Sequence, residues 1–347
     1  MAICHGLNVT KPGQRLQYGV MKLSRREFMK AAVLAPALLN WDVQGASVSE
    51  LRIGVCADPH QDIMHDAQER LRRFIDTAKQ ERLDFIIQLG DFCRPYEKNR
   101  GFLDIWEAFP GPRYHTLGNH DNDGGFKWSE VLAFWKMPER YYSFDRAGWH
   151  FVVLDGNEIK PGTRAPGYPR YVGSEQLNWL RLDLKKTQSP TILFSHQSLE
   201  DPGGVENSAE VRAILEQANQ EAGWQKVGAS LSGHHHIDYA TQIAGIHYLQ
   251  INSMSYQWLG EKFQHLRYSA EVDKAYPYIK YTVPYRDPLF AILSLSAEGL
   301  KITGRRSEFV GPSPWELGMA EVKGTSKSKE RLVPRISDRS LRLDTRG

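Results

Sequence analysis

The sequence predicts an α/β fold, and three observations carry that prediction. Apolar runs of strand length recur at Leu51–Ala57, Asp84–Leu89, Tyr114–Leu117, Thr191–Phe194 and Val227–Leu231. Between them, apolar residues repeat at helical spacing, as in Ala67, Leu71, Phe74, Ile75 and Ala78. Strand, helix and strand in that order imply right-handed crossovers and a mostly parallel central sheet. The third observation is size and composition: 347 residues, 41% apolar and 24% charged, enough to bury the full core of a soluble globular protein.

The first strand ends on Asp58, and the helix with Ala67 and Leu71 follows it. The second strand ends at Gly90-Asp91. A helical stretch near Phe102–Phe109 then leads through Pro110 and Pro112 to the third strand and Gly118-Asn119-His120-Asp121. After Asp123-Gly124-Gly125, a helix near Ser129–Lys136 precedes Tyr141–Asp145 and Trp149–Asp155, which flank Arg146-Ala147-Gly148 as a hairpin. Residues 156–173 are rich in glycine and proline and read as a loop over the polar clusters. Ser174 is expected to cap a helix with Leu177, Leu180 and Leu184 on one face, and Asn207 with Glu210 to open another. Hairpins follow at Tyr239–Ile251 and Leu289–Thr303. Residues 252–287, aromatic and without clean period, read as an excursion at the mouth of the clusters or as an ordinary packed loop.

The ends differ from the body. Residues 1–46 carry six Lys/Arg against two acids, and residues 312–347 carry eight against five, so the formal net charge of +3 conceals a body of about −4. No nucleic-acid surface is indicated. Residues 1–46 read as a leader, with a charged start, a short apolar run from Ala31 to Leu39 and small residues at its end. Nine apolar residues fall far short of the ~20 that span a bilayer, so no transmembrane anchor is expected. Ser24-Arg25-Arg26-Glu27-Phe28-Met29-Lys30 resembles the twin-arginine export motif, which implies recognition by that export machinery and a periplasmic destination. Met21 is then the expected start. The domain is expected over residues 48–311, and residues 312–347, charged and poor in aromatics, as a flexible tail. Cys56 and Cys93 read as small buried hydrophobes, with a disulfide or redox role as the alternative.

Polar clusters at the ends of strands are where chemistry is arranged. Asp58 and His60, spaced i, i+2, would project to one side of an extended segment, and so would His234 and His236, with His235 turned away. Asp91 beside Gly90 supplies a carboxylate at a close approach, suited to bridging two cations. His196 and Asn119 add a nitrogen and an oxygen. Imidazole, carboxylate and amide without thiolate suit two Mn or Fe ions, with Zn possible, rather than a structural zinc site. Arg94 could bind a substrate phosphate or be a surface charge. Asn157 and Asp155 could reach the pocket or serve a turn.

Asp58-x-His60, Gly90-Asp91, Gly118-Asn119-His120-Asp121, His196 and Gly233-His234-x-His236 resemble the five ordered motifs of the calcineurin-like metallophosphoesterases, over roughly residues 51–250. The resemblance implies two mixed β-sheets in a sandwich flanked by helices, a four-layer αββα fold. It implies that Asp58, His60 and His236 hold one metal and Asn119, His196 and His234 the other, with Asp91 between them. It also implies that His120, oriented by Asp121, faces the leaving group. The purple acid phosphatase branch has glycine in place of His60 and a tyrosine in place of Arg94, so a tyrosinate-coloured iron site is not expected. Gly173–Leu180 is similar to the phosphodiesterase-like branch, which includes cyclic-nucleotide phosphodiesterases and manganese-dependent diphosphatases of ADP-ribose and nucleoside-diphosphate alcohols.

The expected activity is hydrolysis of small phosphate esters by a hydroxide bridging two cations. Phosphodiester or nucleotide pyrophosphate substrates are favoured, because the aromatic stretch 252–287 suits a nucleobase. A phosphomonoesterase of the same mechanism is the alternative. A non-catalytic scaffold on the same fold would be marked by lost ligands, and none is lost here.

Overall fold

The computed structural model describes residues 48–163 and 167–344. Leu51–Cys56 forms β1, Ala67–Gln80 α1, Phe85–Gln88 β2, Arg100–Glu107 α2 and Arg113–His115 β3. Trp128–Trp135 forms α3, and Tyr142–Arg146 and Trp149–Val153 form the hairpin β4 and β5. Ser174–Lys186 is α4, Thr191–Phe194 β5's neighbour β6, Ser208–Ala222 α5 and Val227–Ser232 β7. Tyr239–Ile243 and Ile246–Gln250 follow as β8 and β9, then Tyr256–Trp258 as β10, Ala270–Ala275 as α6 and Thr282–Pro284 as β11. Ala291–Ser296, Gly299–Thr303 and Arg339–Leu341 close the chain as β12, β13 and β14.

Among the described residues there are two six-stranded sheets where the strand–helix alternation alone suggested one. The first runs β14-β13-β12-β1-β2-β3 and the second β4-β5-β6-β7-β9-β8, with β10 and β11 as a separate pair. Both are mixed. β1, β2 and β3 are parallel to one another, as are β5, β6, β7 and β9, and antiparallel strands complete the outer positions.

Side chains that alternate along each strand explain the layers. In β2, Phe85 and Ile87 face the second sheet while Ile86 joins the helices. In β5, Trp149, Phe151 and Val153 face inward while Val152 faces the opposite helices. One core therefore lies between the sheets. A second packs α1, α2 and α3 on the outer face of the first sheet, and a third packs α4 and α5 on the second. That is why the parallel strands read as unbroken apolar runs: both faces are buried. Among the described residues no helix is long and apolar enough to cross a membrane.

The expectation of a flexible tail after Pro312 is corrected within the described residues. β14 pairs antiparallel with β13, and Leu332, Ile336 and Leu343 are buried. Scattered single apolar residues among many charges gave no period to read, yet Ile336 and Leu343 join the core between the sheets. At α4 the capping position falls to Gly173, with Ser174 the first helical residue. Asn207 holds the capping position of α5 with its side chain on Val172, accepting from the amide at 3.0 Å and donating to the carbonyl at 2.8 Å, and reaching Glu210 Oε2 at 3.4 Å rather than a helix amide. The leader, with its twin-arginine motif, lies outside the described residues.

Candidate metal centre

The ligand candidates stand just beyond the carboxyl ends of parallel strands: Asp58 after β1, Asp91 after β2, Asn119 after β3, His196 after β6 and His234 after β7. In open α/β sheets this is where loops diverge and leave a crevice. The backbone there is not extended. Asp58, His60, Asp91, His234 and His236 all have positive φ, between 50° and 71°. The alternation expected of extended Asp58-x-His60 and His234-x-His236 is thus replaced by tight left-handed bends. Such conformations cost non-glycine residues ~1–3 kcal/mol each and persist where the surroundings impose them. Gly118 permits the closest approach, since a Cβ there would collide with the Asp91 backbone nitrogen and carboxylate.

The structure brings all seven candidates together. His236 Nε2 lies 3.1 Å from Asp58 Oδ1 and 3.3 Å from His60 Nε2. His196 Nε2 lies 3.0 Å from Asn119 Oδ1 and 3.1 Å from His234 Nδ1. Between these groups, Asp91 Oδ2 is 3.6 Å from His60 Nε2 and 3.3 Å from His196 Nε2. Asp58, His60 and His236 form one cluster able to hold a metal, and Asp58, Asp91 and His196 another.

The chemistry of this donor set fits cations. His236 Nδ1 donates to the Tyr256 carbonyl and His196 Nδ1 to the Leu89 carbonyl, each at 2.8 Å. A carbonyl only accepts, so both Nδ1 atoms carry hydrogen, and in the neutral rings both Nε2 lone pairs face the carboxylates and amide oxygen. Acceptors crowded edge to edge at about 3 Å repel unless positive charge sits among them, and ~2.1 Å bonds to a shared centre give edges of about that length. The carboxylates draw positive charge into the cluster: burial opposes protonation of His196, but Asp91 and Asp58 overcome it and raise its pKa to about 10, so a proton and a cation compete for its Nε2.

His120 borders the same pocket, and here the expected pairing is corrected. Its Nδ1 donates to Asp123 Oδ2 at 2.8 Å, not to Asp121. The Asp121 carboxylate is buried and accepts from the amides of Asp91, Phe92 and Gly118 at 3.0, 2.7 and 2.7 Å, stapling the β2 and β3 loops together. Burial and the neighbouring Asp91 push its carboxyl well above the usual range, which further unsuits it as a counter-ion. Burial opposes a charge on His120, but Asp91 and Asp123 outweigh it and raise its pKa. Asp123 also accepts from Arg94 Nη2 at 3.0 Å and from the Tyr168 hydroxyl at 3.1 Å. The spacing His120-x-x-Asp123 within a turn was the signal for this partner.

Of the two substrate-binding candidates, Arg94 lines the pocket with its charge on Asp123. Asn157 does not reach it. Buried, its Nδ2 donates to the Leu117 carbonyl and to Asp155 Oδ1, while its Oδ1 accepts from Gln197. A polar residue past a strand end is as easily absorbed in tying loops together. His235 turns away from the cluster, its Nε2 3.4 Å from Asp201. Cys56 and Cys93 are buried free thiols. The cavity above the cluster is about 670 Å³, with Tyr168 on one side and Tyr256, Trp258 and Tyr278 from the 252–287 segment on the other.

Known proteins agree with this architecture. The sequence pattern of the calcineurin-like phosphoesterase family matches residues 51–238. The chain is 27% identical over 241 residues to a rice (Oryza sativa subsp. japonica) protein named manganese-dependent ADP-ribose/CDP-alcohol diphosphatase, spanning 51% of this chain and 71% of the relative. An Arabidopsis thaliana protein of the same name is 26% identical over 266 residues, spanning 61% and 83%. In fold, the chain is similar to a dimetal phosphatase from Danio rerio, with a TM-score of 0.54 and 17% identity over 76% of this chain and 99% of the other. It is also similar to GAP50, the anchor in the inner membrane complex of Plasmodium, with a TM-score of 0.50 and 17% identity over 85% and 89%. The family match together with the two diphosphatase-named relatives makes this protein a hydrolase of phosphate esters. The chain belongs to the calcineurin-like phosphoesterase family.

Proposed function

We propose that the protein hydrolyses the diphosphate linkage of nucleotide-type substrates with two cations, Mn in the first place. The observation that carries this is the all-acceptor cluster at the base of a 670 Å³ cavity, more room than a lone phosphate needs, with aromatic walls. Asp58, His60 and His236 would hold one cation and Asn119, His196 and His234 the other, with Asp91 shared. The cations would supply Lewis-acid charge to the phosphoryl oxygens and a water of lowered pKa. His120, its Nδ1 fixed on Asp123, directs Nε2 and its proton toward the leaving oxygen. Arg94 and the half-exposed rings of Tyr168, Trp258 and Tyr278 border the space where the rest of the substrate lies. The names of the two plant relatives support a diphosphate rather than a monoester.

The test is a panel of ADP-ribose, CDP-choline, cyclic AMP, an aryl phosphate and a bis-aryl phosphate, each assayed with added Mn. The proposal expects the highest kcat/KM on ADP-ribose or CDP-choline, and dominance of the aryl monoester would sink it. Trp258→Ala and Tyr278→Ala should raise KM for the nucleotides by about tenfold, the worth of a stacked base. We propose in addition that the protein is exported to the periplasm, on the strength of the Arg25-Arg26 motif. Replacing both arginines with lysine should keep the protein in the cytoplasmic fraction.

A further inference from the structure

Two hydrogen-bonded routes lead from residues 331–339 to one half of the acceptor cluster. The first passes through Asp238, buried two residues beyond His236. Its carboxylate accepts from Arg335 Nε at 3.1 Å, Arg339 Nη2 at 2.6 Å, the Ser337 amide at 3.1 Å and the Ser337 hydroxyl at 2.5 Å. The Asp238 amide donates to the Arg331 carbonyl at 2.9 Å. The short stretch from His236 to Asp238 is thereby pinned on its far side.

The second route passes through Asn252, whose Nδ2 donates to the carbonyls of Val333 and Arg335 at 2.7 and 3.0 Å. The residues after Asn252 lace the loop that carries Asp58 and His60. The Met254 amide donates to the Ala57 carbonyl at 2.7 Å, Ser253 Oγ to the Asp58 carbonyl and Ser255 Oγ to the Pro59 carbonyl, each at 2.8 Å. The Tyr256 carbonyl then takes the Nδ1 proton of His236. Both routes end on Asp58, His60 and His236, which form one metal-capable group; Asp58 is shared with the other, while His60 and His236 belong to this one alone. These residues hold φ of 50°, 50° and 54°, bends that need such reinforcement. Asn119 and His196 are fastened elsewhere, by the Asp121 staple beside Asn119 and by the Leu89 carbonyl. Of the other cation's ligands, only His234 among the described residues hydrogen-bonds to the clamped side, its amide donating to Asp58 Oδ2 at 3.1 Å.

We propose that residues 331–339 form a clamp that positions Asp58, His60 and His236 for one of the two cations, with Asp238 and Asn252 as positioning residues. The inference rests on the two-cation reading and extends it: the cations differ in what holds their ligands. Loss of a positioning contact around a metal ligand typically weakens the metal by 10- to 100-fold.

The experiment is calorimetric titration of Mn into metal-free full-length protein, wild type against Asp238→Asn, Arg339→Gln and the gentler Arg339→Lys. The expected result is two bound Mn, one of them weakened about 10- to 100-fold in the first two variants and less in the third. The other affinity falls by several-fold less, through the shared Asp58, and kcat recovers at saturating Mn. Equal weakening at both sites in step with a lower melting temperature, or no weakening at either, overturns the clamp. A wild-type stoichiometry of one overturns the two-cation reading and the clamp's selectivity with it.

Discussion

Asn119 and His196 are fixed by groups at the ends of β2 and β3, whereas Asp58, His60 and His236 sit on left-handed bends tied down by segments that arrive later in the chain. His196 leaves β6, a strand flanked on both sides by parallel neighbours, and its ring is fixed by a carbonyl just past β2. Asn119 follows the Gly118 amide that donates to Asp121. For His60 and His236, support comes from residues 253–256 and, through Asn252 and Asp238, from residues 331–339. The same ligand chemistry can thus rest on groups at the strand ends or on segments far along the chain. The two halves should fail differently when disturbed.

Asp91 tests what they share. Asp91→Asn should lower kcat/KM by about 10³-fold, since several kcal/mol of charge balance between the halves is lost. It should weaken Mn at both sites, and loss at only one would remove Asp91 from its bridging place. Next come His236→Ala and His196→Ala, each expected to take one Mn from the calorimetric stoichiometry and about 10²-fold from kcat, with His235→Ala within twofold of wild type. If either ligand variant emptied both sites, the halves would not be separable.

Asp121 and Asp123 part along the same line. Asp121→Ala leaves three buried amide donors unpaired and should cost about 3 kcal/mol in urea unfolding. Asp123→Asn should leave stability and Mn binding nearly intact while kcat falls by about 10²-fold through His120. A reversal of these two signatures would restore Asp121 as the partner of His120. His150, remote from both halves, provides the smallest effect. Burial opposes its charge, but hydrogen bonds to Asp183 and Asp145 raise its pKa above the unfolded value. Its contribution is therefore complete below about pH 6.5 and lost as pH rises through the folded value. His150→Gln should lower the urea midpoint more at about pH 5.5 than at about pH 9, with Mn affinities unmoved at either.

The strand–helix–strand framework was legible because buried parallel strands write unbroken apolar runs, and the ligands because each follows such a run. What stayed hidden was mostly mediated by backbone groups or by scattered residues. Asp121 looked like a partner for its neighbour His120, but its carboxylate is spent on amides that leave no mark in sequence. Asn157 looked available and is consumed by Leu117, Asp155 and Gln197. The left-handed bends at Asp58 and His60 carry no glycine to announce them. Leu332, Ile336 and Leu343 stand alone among charges, so the order they confer could not be read from a period. The pairing of β14 with β13 spans a gap no local pattern could bridge.

The place of the clamp in the chain also has a consequence for how the enzyme is made. Asn119, His196 and His234 have all been synthesised when residue 234 leaves the ribosome's catalytic centre, but Arg339 follows roughly 100 residues later. At ~5–20 residues per second that interval is about 5–20 s. On the proposed clamp, a chain cut short before residue 331 would carry every ligand and still hold one cation about 10- to 100-fold more weakly than the full-length enzyme.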